Sequence, residues 1–214
     1  MEQQSRGRVW VKICGITSIE DALMVEASGA DAIGLNFSTE SPRFVAVEQA
    51  KKIRRALGPA IEVVGVFVDA PLAQLLEVRS AVGLDTLQLH GQEEPVLLTE
   101  LIARRVPVYK ALRIATDEDV SLANSYEGRR ILVDAKVSGM MGGSGQLFDW
   151  SLVAGLNQER KMILAGGLTP SNVSEAIERV TPFGVDTASG VESSPGVKVA
   201  ELVRKFVEQV RGHT

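Results

Sequence analysis

Short apolar runs rich in β-branched residues recur along the chain at 9–13, 32–36, 63–68, 86–90, 108–112, 131–134, 162–165 and 184–187. Runs of this length, with little polar interruption, predict strands buried on both faces, as in a parallel sheet. The segments between them carry helical spacing, predicting helices over 47–57, 71–81, 95–104, 117–126 and 149–154. A last helix is drawn by Val199, Leu202, Val203, Phe206, Val207 and Val210, which share one face of a 3.6-residue repeat. Helix starts are marked too. Thr17-Ser18 precedes Glu20-Asp21 in an expected first turn, and Thr169 before Pro170 reads as an N-cap followed by proline at the first helical position.

Strand starts fall roughly 22 to 31 residues apart with no linker or break in composition, which matches one βα unit per period. Eight such units predict an α/β fold: a (β/α)8 barrel occupying residues 1–214 as a single domain. The competing architecture is an open doubly wound sheet, which often carries a GxGxxG turn after its first strand. Here the first strand runs into KICGIT instead. Periodicity favours the barrel and leaves the open sheet as the alternative.

Composition narrows the class further. With 45% hydrophobic but only 5% aromatic residues, the core must be built from Val, Leu, Ile and Ala, which suits layered α/β packing. A net charge of −4 with no long Lys/Arg block lacks the electrostatic footprint of a nucleic-acid binder, so any anion must be held locally. No apolar run approaches the roughly 18 residues that span a bilayer, and MEQQSRGR lacks the apolar stretch of a signal peptide. The expectation is a cytoplasmic protein without membrane or nucleic-acid partners. One cysteine and two histidines exclude an intrachain disulfide and leave little for a zinc cluster, so no metal is expected.

In such a barrel the active site lies at the C-terminal ends of the strands. If Val11 and Ile13 face the helices, alternation turns Lys12 and Cys14 into the barrel, and on the sixth strand it turns Leu132 and Asp134 the same way. A thiol and a carboxylate would then face each other across the mouth. A lone cysteine is more often a small buried hydrophobe, and an aspartate at a strand end is as often a turn residue. Their joint placement favours function.

Phosphate binding in many barrels uses the loops after strands 7 and 8. Here these carry Gly166-Gly167 and Ser189-Gly190, whose backbone N–H groups can approach an oxyanion closely; simple tight turns are the plainer alternative. After strand 2, Arg43 offers a fork for a substrate carboxylate, although arginines are commonly solvated. Gln88 and His90 share the inward parity of strand 4 and line the pocket or satisfy their own hydrogen bonds. The glycine-rich stretch 135–147 reads as a lid or an ordinary flexible loop.

Taken in order, KICGIT, DAIGLNF with SPRFV, VGVFVD, LQLHG, VDAKV, GGSGQLFDW, LAGGLTPSNV and VDTASGVESSPG resemble the phosphoribosylanthranilate isomerase family from Val11 to Lys198. The resemblance implies a cofactor-free Amadori rearrangement in tryptophan biosynthesis, with a small phosphorylated substrate and a monomer or homodimer. It implies Cys14 as general base, Asp134 as general acid, Arg43 on the anthranilate carboxylate and Gly166, Gly167, Ser189 and Gly190 around the phosphate. It also brings Asp186 near the sugar hydroxyls. The sequence departs from the family wording at Thr187-Ala188, where Val-Ser is common, so a side-chain hydroxyl at Ala188 is lost. Paired methionines in 137–141 are a second departure, bearing on lid closure. Among neighbouring barrels, the histidine-pathway isomerase looks for an aspartate where Cys14 stands. Indole-glycerol-phosphate synthase needs a lysine acid with glutamate partners at strand ends. A non-catalytic phosphate-binding barrel is the alternative from outside the enzymes.

Overall fold

A computed structural model of the chain describes residues 8–114, 116–134, 156 and 160–213. In chain order these form β1 (Trp10–Cys14), α1 (Ile19–Ala27), β2 (Ala32–Asn36), α2 (Val47–Ala56), β3 (Glu62–Phe67), α3 (Leu72–Val82), β4 (Thr86–Leu89) and α4 (Pro95–Ala103). There follow β5 (Val108–Arg113), α5 (Asp117–Ser125), β6 (Arg130–Asp134), β7 (Lys161–Ala165), α6 (Val173–Val180) and β8 (Gly184–Thr187). A 3-10 turn (Ser189–Val191), a hairpin of β9 (Glu192–Ser194) and β10 (Val197–Lys198), and α7 (Ala200–Arg211) complete the order. Strands β1 to β8 close into a barrel in sequence order, each pair parallel, with β8 returning to β1. That closure decides for the (β/α)8 barrel over the open sheet.

The apolar residues divide into two layers, as strand alternation requires. Val11, Ile13, Ile33, Leu35, Val63, Ile131, Val133, Leu164 and Val185 join the inner faces of the helices in the larger one. On α7 the buried face is Val203, Phe206, Val207 and Val210, and each such side chain contributes about 1.5–3 kcal/mol when withdrawn from water. Inside the barrel a smaller cluster of Ala32, Val64, Tyr109, Ala111, Leu132, Ile163 and Ala165 packs the apolar part of the interior. Its floor is Trp10 stacked on Phe183 at 6.3 Å, with the Arg130 guanidinium over both rings. A polar group closes this lower end, with Arg130 and Thr86 both donating to Glu62, and the other inward polar side chains lie above it toward the strand ends.

Every expected strand is present, with edges moved by a residue. The first begins and ends one residue later, so Cys14 belongs to β1, and the fourth stops at Leu89, leaving His90 just beyond it. Ser18 caps α1 by accepting from the Asp21 N–H at 3.1 Å. One expected start is wrong. The helix read from Thr169-Pro170 begins at Val173, because residues 169–172 form a separate turn in which the Thr169 carbonyl accepts from the Asn172 and Val173 N–H groups. Proline suits the second position of such a turn as well as the first position of a helix. The hairpin β9–β10 was not expected from periodicity, although Pro195-Gly196, with Gly196 at φ 83°, is a turn dipeptide. The expected helix 149–154 and the stretch 135–147 lie outside the described residues.

Closure is reinforced at the base by Asp31. Its Oδ2 accepts from the Val11 N–H and from Arg211 Nη2, both at 2.8 Å, while Oδ1 accepts from Arg8. Arg211 also donates to the carbonyls of Val9 and Gly29. One carboxylate thus joins the first strand to the last helix. Among the described residues no helix is long and apolar enough to cross a membrane.

Candidate active site at the barrel mouth

The upper interior is built around an ion pair. Lys12 on β1 and Asp186 on β8 are register partners, and Lys12 Nζ lies 2.8 Å from Asp186 Oδ2 with both side chains buried. Burial disfavours the ammonium, but the groups around it, Asp186 foremost with Cys14 and Tyr109, together hold the Lys12 pKa above the ordinary lysine value. The other oxygen, Asp186 Oδ1, is buried with no hydrogen-bond partner among the described residues. An acceptor left so costs about 1–3 kcal/mol, so it is suited to a donor arriving with a ligand.

Cys14 stands two residues above Lys12 on the same inward face and is partly open to solvent. The neighbouring strand makes room for it with a glycine: a Cβ on Gly34 would come within 2.6 Å of Cys14 Sγ and 3.0 Å of Lys12 Cε. Burial in the barrel pushes the thiol pKa up, and the attraction of Lys12 only partly offsets this. Asp134 ends β6, three strands round the barrel from β1, with its side chain half-buried. The structure therefore brings both sequence candidates to the same end of the barrel.

Gln88 and His90 are linked to each other and to the interior. Tyr109 Oη donates to Gln88 Oε1 at 2.9 Å, and Gln88 Nε2 lies 3.4 Å from His90 Nδ1. Gln88 is buried and His90 is exposed at the mouth. Behind them, on the helix side of the strands, Lys110 Nζ donates to Glu93 at 2.9 Å and to the carbonyls of Gly91 and Ala111 at 2.7 and 3.1 Å. Glu93 in turn accepts from the Asp69 and Gly91 N–H groups. This buried pair pins the loop that carries His90.

Gly166 and Gly167 follow β7 at φ 101° and 72°, values that favour glycine. Ser189 and Gly190 lie in the 3-10 turn after β8. A Cβ on Gly190 would overlap the Leu168 carbonyl oxygen, so this glycine lets the two loops touch. Thr187 adds a second tie, donating from Oγ1 to the same carbonyl at 2.7 Å. The departure at Thr187-Ala188 thus removes one hydroxyl and supplies another that fastens the loops.

Arg43 is not a solvated arginine. Its Nε and Nη2 hold the Glu192 carboxylate at 2.9 and 2.6 Å, and its stem crosses Gly15, where a Cβ would overlap Arg43 Cδ. Gly15 also sits at φ 77°, so glycine is required after Cys14 on two counts. Glu192 accepts as well from Lys198 Nζ at 2.7 Å, and Lys198 donates to the carbonyl oxygens of Cys14 and Ala188. Neither Glu192 nor Lys198 is reached by reading strand ends. Among the described residues no group of three or more His, Cys, Asp or Glu side chains is placed to hold a metal ion.

Residues 11–209 match the family described as N-(5'phosphoribosyl)anthranilate (PRA) isomerase. The chain belongs to that isomerase family. An N-(5'-phosphoribosyl)anthranilate isomerase from Pseudomonas aeruginosa strain LESB58 is 48% identical over 205 residues, covering 95% of each chain. The crystal structure of the Thermotoga maritima phosphoribosyl anthranilate isomerase is 43% identical with a TM-score of 0.87, over 95% of this chain and 99% of that one. A phosphoribosyl anthranilate isomerase solved in complex with reduced 1-(o-carboxyphenylamino)-1-deoxyribulose 5-phosphate gives 40% identity and a TM-score of 0.86, with the same coverage.

Proposed function

We propose that this isomerase converts N-(5-phosphoribosyl)anthranilate into 1-(2-carboxyphenylamino)-1-deoxyribulose 5-phosphate, without a cofactor, as a step of tryptophan biosynthesis in the cytoplasm. The protein acts as a monomer or homodimer built of one barrel domain, on a small phosphorylated substrate and not on nucleic acid or membrane. The observation that carries the reading is the pair Cys14 and Asp134 at the C-terminal ends of β1 and β6 of one closed barrel.

Asp134 gives a proton to the ribose ring oxygen, the bond from that oxygen to C1 breaks, and the nitrogen lone pair forms an iminium. The iminium acidifies the C2 proton, which the Cys14 thiolate removes to leave an enolamine. Loss of the C2 hydroxyl proton and protonation at C1 then yield the ketone. The Cys14 thiol is pushed up in the ligand-free site, and Lys12 is already engaged by Asp186. The positive iminium beside the sulfur supplies the further attraction that favours the thiolate. Asp186 Oδ1 accepts a sugar hydroxyl, and Gln88 and His90 line the pocket above it. Arg43 meets the anthranilate carboxylate, while backbone N–H groups of Gly166, Gly167, Ser189 and Gly190 cradle the phosphate.

The test is turnover by the purified chain, with phosphoribosylanthranilate generated in place and the loss of its fluorescence followed. Decay that scales with protein concentration supports the assignment. Tight binding of a product analogue without turnover would instead support a non-catalytic phosphate-binding barrel.

A further inference from the structure

We infer that Glu192 is a positioning residue that sets the selectivity of this enzyme for a carboxylated aromatic amine, by fixing which edge of the Arg43 guanidinium is offered to substrate. The inference rests on the reading that Arg43 meets the anthranilate carboxylate. A guanidinium presents two forks: a side-on fork from Nε and one terminal nitrogen, and an end-on fork from both terminal nitrogens. Glu192 occupies the side-on fork of Arg43, taking Nε at 2.9 Å and Nη2 at 2.6 Å. Among the described residues Nη1 has no hydrogen-bond partner, so the end-on fork is left for a second carboxylate. With the guanidinium plane fixed beforehand, less rotamer freedom is lost when substrate arrives.

The charges support the same assignment. One carboxylate facing one arginine would cancel the charge that attracts an anionic substrate. Here Lys198 shares Glu192 at 2.7 Å, so the trio of Arg43, Glu192 and Lys198 keeps a net positive charge. Burial works against the Glu192 carboxylate, yet the contacts with Arg43 and Lys198 hold its pKa below the usual glutamate value. Glu192 also accepts from the Gly196 N–H at 3.2 Å, so the β9–β10 turn fixes its direction. Lys198 carries the link onward to the carbonyls of Cys14 and Ala188. One residue therefore registers the carboxylate arm against the strand that bears the thiol and the loop after β8.

The experiment compares KM and kcat for phosphoribosylanthranilate and for the aniline analogue lacking the ortho carboxylate, in wild type, Arg43→Ala, Glu192→Gln and Glu192→Asp. Folding of each is checked by circular dichroism. For Glu192→Gln the KM preference for the carboxylated substrate should fall at least about tenfold, the loss expected when a charge-assisted contact is weakened. Its kcat for that substrate should change much less than KM. Glu192→Asp, which keeps the charge, should recover part of the preference, and it stands as the readout if the glutamine variant fails to fold. An unchanged preference in Glu192→Gln, or in Glu192→Asp where the glutamine variant does not fold, alongside a collapsed one in Arg43→Ala, would overturn the role of Glu192 and leave Arg43 in place. An unchanged preference in Arg43→Ala itself would overturn both.

Discussion

Lys12 Nζ lies 2.8 Å from Asp186 Oδ2 directly below Cys14, with the lysine wholly buried. Breaking such a pair leaves a buried charge uncompensated, at a cost of about 3–5 kcal/mol. Lys12→Met should lower the urea unfolding free energy by that order, whereas Lys12→Met with Asp186→Leu should recover most of the loss. A single variant as stable as wild type would show that the pair contributes nothing to the fold.

Cys14→Ala and Asp134→Asn should each reduce turnover by about 10²–10⁴-fold, the usual contribution of a general acid or base. Binding of the reduced product should survive in both, as measured by calorimetry. Near wild-type turnover in either variant removes that residue from the mechanism.

The pH dependence of Cys14 follows from its surroundings. Burial raises the thiol pKa in the ligand-free site, so the thiolate is scarce at neutral pH and increases as pH rises. The rate of alkylation of the only cysteine should therefore climb by about one log unit per pH unit through the neutral range, without a plateau below the ordinary thiol value. Lys12→Met, which removes the cation that opposes burial, should slow alkylation further at every pH in this range. Mass spectrometry reads both, and a plateau near pH 7 would reverse the sign assigned to the site.

Gly34→Ala tests the space given to the thiol. Its new Cβ would sit 2.6 Å from Cys14 Sγ, so the sulfur must move. Overpacking of this kind costs about 1–3 kcal/mol of stability. Displacement of a reacting atom by about 1 Å can cost as much as 10²-fold in rate. The expected outcome is a fall in kcat larger than the fall in unfolding free energy would explain; unchanged kcat would mean that the thiol has other room.

The barrel and the two candidate proton-transfer groups were legible because both depend on short-range regularities. A period of two assigns Lys12, Cys14, Leu132 and Asp134 to one face, and repetition of βα units assigns that face to a barrel interior. Partnerships were not legible. Asp186 is 174 residues from Lys12, and only closure of β8 on β1 makes them neighbours. Glu192 and Lys198 act through a hairpin too short to show a hydrophobic period. Lys110 faces the helix layer from a run, VYKAL, where an apolar residue would be expected. Its buried partner Glu93 lies in a loop, so neither residue signals the other. The early start assigned at Thr169 failed because proline marks turns and helix starts alike.

The carboxylate of Asp31 ties the backbone of β1 to Arg211, which lies 180 residues beyond Asp31 itself. During synthesis that contact has no counterpart until α7 has left the ribosome, and β1 likewise lacks its β8 neighbour until 184–187 has emerged. Joining segments so far apart must meet the loop-closure cost before packing rewards it, which slows the last step of folding. Until then the two flanking edges, β1 and whichever strand was made last, remain open to pairing with other nascent chains. The demand on chaperones should therefore peak while the seventh unit is in place and the eighth is not.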